Sequence, residues 1–152
     1  LYASSILNFK QEEILILGVS INLFGVFGCY LFALFEKKIE SKENICRCLI
    51  ALTLLTLVLL IIEEVHFFWI TSLLIGFFIG PIQASSRSYL STNISSVNQF
   101  NNFSIYCIIG NICSILGPFS ISILIYLTDS LRLGLSLIPF YFFIGLIFLK
   151  KI

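Results

Sequence analysis

Methionine is absent from the 152 residues, and histidine and tryptophan occur once each. With His66 as the sole histidine and Cys46 and Cys48 as the one close cysteine pair, the chain cannot complete the four-ligand set of a structural zinc site, so no metal is expected. Charge is scarce too: Asp, Glu, Lys and Arg make up 11% of the residues and nearly cancel, leaving a net charge of +1. That balance supplies no basic footprint, and no nucleic-acid partner is expected. The sequence has no glycine-rich phosphate loop, no pair of carboxylates inside an apolar run and no nucleophile placed to work with His66. Enzymatic chemistry and a bound cofactor are therefore not expected. Cys29, Cys107 and Cys113 fall inside apolar runs, where cysteine behaves as a small hydrophobe, and the odd total of five outlines no disulfide framework. The missing methionine and the opening Leu1 lead us to expect that the natural start lies upstream.

What remains is overwhelmingly apolar. Hydrophobic residues are 59% of the chain and the mean hydropathy is +1.06, far more apolar surface than a water-soluble fold of this size could hide. A bilayer accepts such side chains outward and demands only that the backbone satisfy itself. A spanning helix needs roughly 20 apolar residues, and five runs meet that need: residues 14–35, 46–62, 67–90, 103–127 and 131–149. The expected fold is an all-α polytopic transmembrane bundle forming a single domain over residues 1–152, with residues 1–8 the tip of an earlier helix. Phe67, Phe68 and Trp69 mark a headgroup-level aromatic cluster. Lys37, Lys38, Lys42 and Arg47 after the first run, Arg87 near the end of the third, and Lys150 and Lys151 at the tail outnumber Lys10 and Arg132 opposite. By the positive-inside rule the C-terminus is cytoplasmic.

Polar residues inside the apolar runs are candidates for function. In the fourth run Ser104, Asn111, Pro118 and Ser122 share one narrow face at 100° per residue, with Cys107 and Ser114 beside them. Such a stripe faces either a solute pathway, where Asn111 offers both a donor and an acceptor, or a neighbouring helix bound through small and polar side chains. Gly110 and Gly117 would admit a close neighbour, and Pro118 predicts a kink. Gly76, Gly80 and Ala84 in the third run form a small-residue face of the type that permits close helix crossing. The same run turns polar over Gly80-Pro81-Ile82-Gln83-Ala84-Ser85-Ser86-Arg87-Ser88, ending on a cation that must snorkel, pair or face water. Asn22 is the corresponding polar residue of the first run. His66, Glu63 and Glu64 gather at an outer turn, where solvation or proton coupling would equally account for them.

Gln83-Ala84-Ser85-Ser86-Arg87-Ser88, followed by Phe103, Tyr106, Gly110 and Leu116-Gly117-Pro118, resembles the vacuole-effluxer family of the major facilitator superfamily, which includes autophagy-related amino-acid exporters. That family typically reads Q-A-L-S-R-S at the end of its tenth helix, then F-F-G-F-Y, G-K and L-G-P into the eleventh. Gln83, Ala84, Ser86, Arg87, Ser88, Phe103, Tyr106, Gly110, Gly117 and Pro118 match, whereas Ser85 stands for Leu, Asn102 for Phe, Ser104 for Gly and Asn111 for Lys. Ser130-Leu131-Arg132-Leu133-Gly134 also looks like the family's turn into its last helix. The resemblance spans nearly the whole chain, strongest from Gly76 to Gly134.

The resemblance implies that the five helices are the eighth to twelfth of a twelve-helix transporter, whose missing N-terminal helices supply the other wall of the pathway. It implies secondary active efflux or exchange of a small solute such as an amino acid, coupled to an ion such as the proton. The membrane would be the inner membrane in a bacterium, or a vacuolar or other organelle membrane in a eukaryote. Asn22, Gln83, Ser86, Arg87, Ser104, Asn111 and Ser114 are the expected pathway residues, with Gly76, Gly80, Gly110, Gly117 and Pro118 serving packing or bending. The rival expectation is a non-transporting membrane assembly or scaffold subunit, in which Asn111 and Ser114 face a partner helix with no cavity between.

Overall fold

A computed structural model of the chain describes residues 9–36, 40–94 and 99–151, and in these residues the structure is helical. The helices are α1 (Gln11–Glu36), α2 (Ser41–Ile61), α3 (Val65–Asn93), α4 (Gln99–Thr128), α5 (Leu131–Leu135) and α6 (Leu137–Lys151). α1 to α4 and the α5–α6 pair, Leu131–Lys151, give five helices long and apolar enough to cross a membrane. The expected end of an earlier helix and the basic pair Lys37 and Lys38 lie outside the described residues.

The helices outrun the apolar runs that nucleate them. α2 begins at Ser41, five residues before its apolar run, because Arg47 donates to Glu43 one turn earlier at 2.7 Å and keeps the polar turn helical. α3 continues to Asn93 and α4 starts at Gln99, so the polar connection is shorter than residues 91–102. The last span divides at Ser136, an αR residue whose N–H reaches back to Arg132 and Leu133 at 3.1 and 3.2 Å. Pro139 accounts for the division, since it offers no N–H to the carbonyl of Leu135 and is accommodated in the first turn of a new helix. α4 ends on Asp129, held at a φ of 51°, a left-handed turn that Asp tolerates better than most residues. The turn brings α5 back so closely that a Cβ on Gly134 would strike the Ile125 side chain.

α3 is the central helix, packed on α1 along one side and α2 along another, while α2 also packs on α6. The α1–α3 crossing is backbone against backbone: a Cβ on Gly76 would lie 2.6 Å from the Ile21 carbonyl oxygen, one on Gly25 3.2 Å from that of Gly76, and one on Gly80 would meet the Gly25 carbonyl. Gly28 is seated tightest, against the Phe77 carbonyl. That carbonyl lies four residues before Pro81, which has no N–H to give it, so a polar group released by one helix faces the bare Cα of the other. The α2 contribution to the interior is the stripe Asn44, Ile45, Cys48, Leu49, Leu52 and Thr56. Buried hydroxyls turn back on their own helices: Thr56 donates to Leu52 O at 2.7 Å and Thr71 to Phe67 O at 2.8 Å. At the end of the bundle that holds the α2–α3 turn, Phe9 and Phe68 pack with ring centroids 5.7 Å apart. α4, by contrast, buries none of its residues.

Candidate functional site

Two clefts open beside α3. The first, of about 250 Å³, lies over the glycine crossing and takes Asn22, Gly25 and Cys29 from α1 together with Gly76, Gly80 and Gln83 from α3. The second, of about 510 Å³, separates α3 from α4 and is lined by Gln83, Arg87, Tyr106, Cys107, Ile109, Gly110 and Asn111. Gln83 belongs to both, so Asn22, Gln83, Arg87 and Asn111, drawn from three helices, line two clefts that adjoin at Gln83. All four are exposed. Asn22 spends one amide hydrogen on the Gly18 carbonyl at 2.8 Å, which fixes its side chain along α1.

Arg87 is the charged member of the four. It stands six residues before the end of α3, about 9 Å along the helix at 1.5 Å per residue. Neither α3 nor α4 contains an Asp or Glu, and among the described residues no carboxylate lines either cleft. α4 has no charged residue of either sign.

The remaining pathway candidates are placed differently. The Ser86 hydroxyl is 2.8 Å from the Tyr106 hydroxyl and donates to the Gln83 carbonyl at 3.0 Å, bridging α3 and α4 beside the cleft. Ser104 donates to Phe100 O at 2.9 Å and Ser114 to Asn111 O at 2.7 Å, so both hydroxyls are spent on their own helix, as is that of Ser122 on Pro118 O at 2.9 Å. Among the described residues nothing stands within 4 Å of a Cβ built at Gly110 or Gly117, whereas Gly76 and Gly80 sit in the α1 crossing. α4 runs unbroken through Pro118.

Three tethers escaped the reading from sequence. Tyr106, noted there only as a family match, lines the cleft and holds Ser86. Tyr141 donates to the Ser120 hydroxyl at 2.8 Å, joining α6 to α4. Arg132 pairs with Glu63 at 2.6 Å, tying the α2–α3 turn to α5, while His66 lies exposed nearby in sequence. A tyrosine hydroxyl within an apolar run was the available signal for the first two, because it must find a partner or water.

The clefts also fix which helix ends lie together. Lys42 and Ser41 share a depression with Tyr89, Thr92 and Asn93, and Lys42 and Cys46 share another with Leu149. The start of α2, the end of α3 and the end of α6 therefore lie on one side, with Glu63 and Arg132 on the other.

Five apolar spanning helices with polar clefts between three of them define a polytopic helical membrane protein. The chain belongs to the vacuole effluxer Atg22-like family, whose family model matches residues 1–152. That description names an effluxer, a transport class. Neither the curated proteins nor the solved structures yield a match.

Proposed function

We propose that the protein is a secondary active transporter of the major facilitator type, which exports or exchanges a small solute such as an amino acid by alternating access. The five helices correspond to the eighth to twelfth, and N-terminal helices supply the facing wall of the pathway. The solute moves along Asn22, Gln83, Arg87 and Asn111, close to where two helical halves meet, and a coupling ion such as the proton drives it. The side holding Lys42, Arg87 and the C-terminal lysines is cytoplasmic, on the charge rule alone. The membrane is the inner one in a bacterium and that of a vacuole or other organelle in a eukaryote.

The observation that carries this reading is the pair of clefts that meet at Gln83 and take Asn22, Arg87 and Asn111 from α1, α3 and α4. A scaffold subunit would pack Asn111 against a partner helix with no cavity, and the 510 Å³ beside Asn111 favours transport over that role. The test is uptake and efflux of a mixed amino-acid panel by proteoliposomes of the full-length protein, with and without a proton gradient, beside an Arg87→Ala variant. Gradient-dependent flux that the variant lacks is the expected result. Absence of flux for every solute in the panel, with correctly inserted protein, would overturn the reading.

A further inference from the structure

We infer that the cleft between α3 and α4 reads the carboxylate of its solute through Arg87. The inference deepens the transport reading and rests on the same cleft. Its ground is the charge inventory: a guanidinium lines a cleft of about 510 Å³ in which the remaining polar side chains are the neutral Gln83, Tyr106 and Asn111. A guanidinium lining a cleft between apolar helices is suited to an anion, and its planar fork matches a carboxylate with two parallel hydrogen bonds. Among the described residues neither cleft is lined by a carboxylate, so neither supplies an ion-pair partner for an ammonium group. Gln83 and Asn111 can hydrogen-bond either end of a solute, so the charge preference falls to Arg87 alone.

The cleft contains its own reporter. Cys107 lines it, whereas Cys113, six residues on and about 120° round the same helix, faces a separate cleft beside Tyr141. Both thiols are free and exposed. The experiment is labelling of the full-length protein in lipid nanodiscs by a polar maleimide, with mass spectrometry resolving the two sites. Three probes of one side chain are compared: a neutral amino acid, its N-acetyl derivative, which keeps only the carboxylate, and its decarboxylated amine. The zwitterion and the N-acetyl acid should each slow Cys107 labelling by about tenfold at ten times their Kd. The amine, which lacks the group that Arg87 pairs with, should protect far less than either acid, and Cys113 should be unaffected throughout. Arg87→Gln should abolish the protection and Arg87→Lys retain part of it, with unchanged Cys113 labelling reporting an intact fold.

Protection by the amine and not by the acid would overturn the inference, as would equal protection in Arg87→Gln. If protection follows phosphatidylglycerol content instead of added solute, Arg87 seats a lipid phosphate and the inference falls. The two readings separate cleanly. Flux of the amine with no protection by the acid leaves transport standing without carboxylate recognition, whereas protection by the acid with no flux of any solute keeps the recognition and removes transport.

Discussion

Glycines that look alike along the chain do different physical work. Gly28 faces the Phe77 carbonyl and cannot accept a methyl group without parting two backbones, while a Cβ at Gly110 meets nothing within 4 Å among the described residues. Gly28→Ala is therefore expected to cost about 1–3 kcal/mol, the usual penalty of overpacking an interface that cannot yield. Gly110→Ala should stay within about 0.5 kcal/mol, as a change at an open surface does. Unfolding by sodium dodecyl sulfate, followed through the fluorescence of the sole tryptophan, measures both. Trp69 suits the purpose because its ring centroid lies 6.1 Å from that of Phe9, at the other end of the same α1–α3 packing. A neutral Gly28→Ala would mean that the α1–α3 crossing is not where the backbone places it. Sequence alone could put Gly76 and Gly80 on a close-packing face, but the partner was beyond its reach: a repeat of four reveals a face, and only the fold reveals what lies opposite.

At the level of helices, α4 is held in an unusual manner. It buries none of its residues and is secured by the tight turn into α5 and by two hydroxyl pairs, Ser86 with Tyr106 and Tyr141 with Ser120, each at 2.8 Å. Hydrogen bonds between helices in membranes average about 0.6 kcal/mol in double-mutant cycles. A cycle of Ser86→Ala with Tyr106→Phe should return a coupling of about that size, and so should Ser120→Ala with Tyr141→Phe. Combining the two tyrosine changes should also loosen α4 selectively, read as faster amide hydrogen exchange over residues 99–128 than over α2. Coupling of zero in both cycles would show that other segments or lipid, not these hydroxyls, hold the helix. The five spans themselves were legible because each is a long apolar run between polar turns. Their ends were less so, for a helix continues past its apolar stretch into polar residues that satisfy their backbone groups locally, as Ser41 to Arg47 do with the Arg47–Glu43 pair beside them. The break at Ser136 had a cue in Pro139 that a hydropathy reading passes over.

On the scale of the molecule, exposed residues fall on faces with different surroundings. Large apolar side chains such as Leu54 on α2 and Phe148 on α6, 58% and 63% exposed, turn toward what is lipid in a membrane, while Asn22 and Asn111 are exposed along the clefts. That the polar residues of α1, α3 and α4 would line adjoining clefts depended on Gln83 standing where the two meet, a non-local fact invisible to the periodicity of any single helix. The distinction makes a prediction about solvent. A cysteine in water ionises and reacts with a polar maleimide, whereas one in hydrocarbon stays a thiol and is inert. With the native Cys29 and Cys107 replaced by alanine to clear both clefts, Asn22→Cys and Asn111→Cys should label in a bilayer at least about tenfold faster than Leu54→Cys or Phe148→Cys. In detergent above its denaturing concentration the four rates should converge, since exposure no longer depends on which face a residue holds. Equal rates in the bilayer would mean that Asn22 and Asn111 lie in lipid or against another helix, and the polar path through this wall would have to be abandoned.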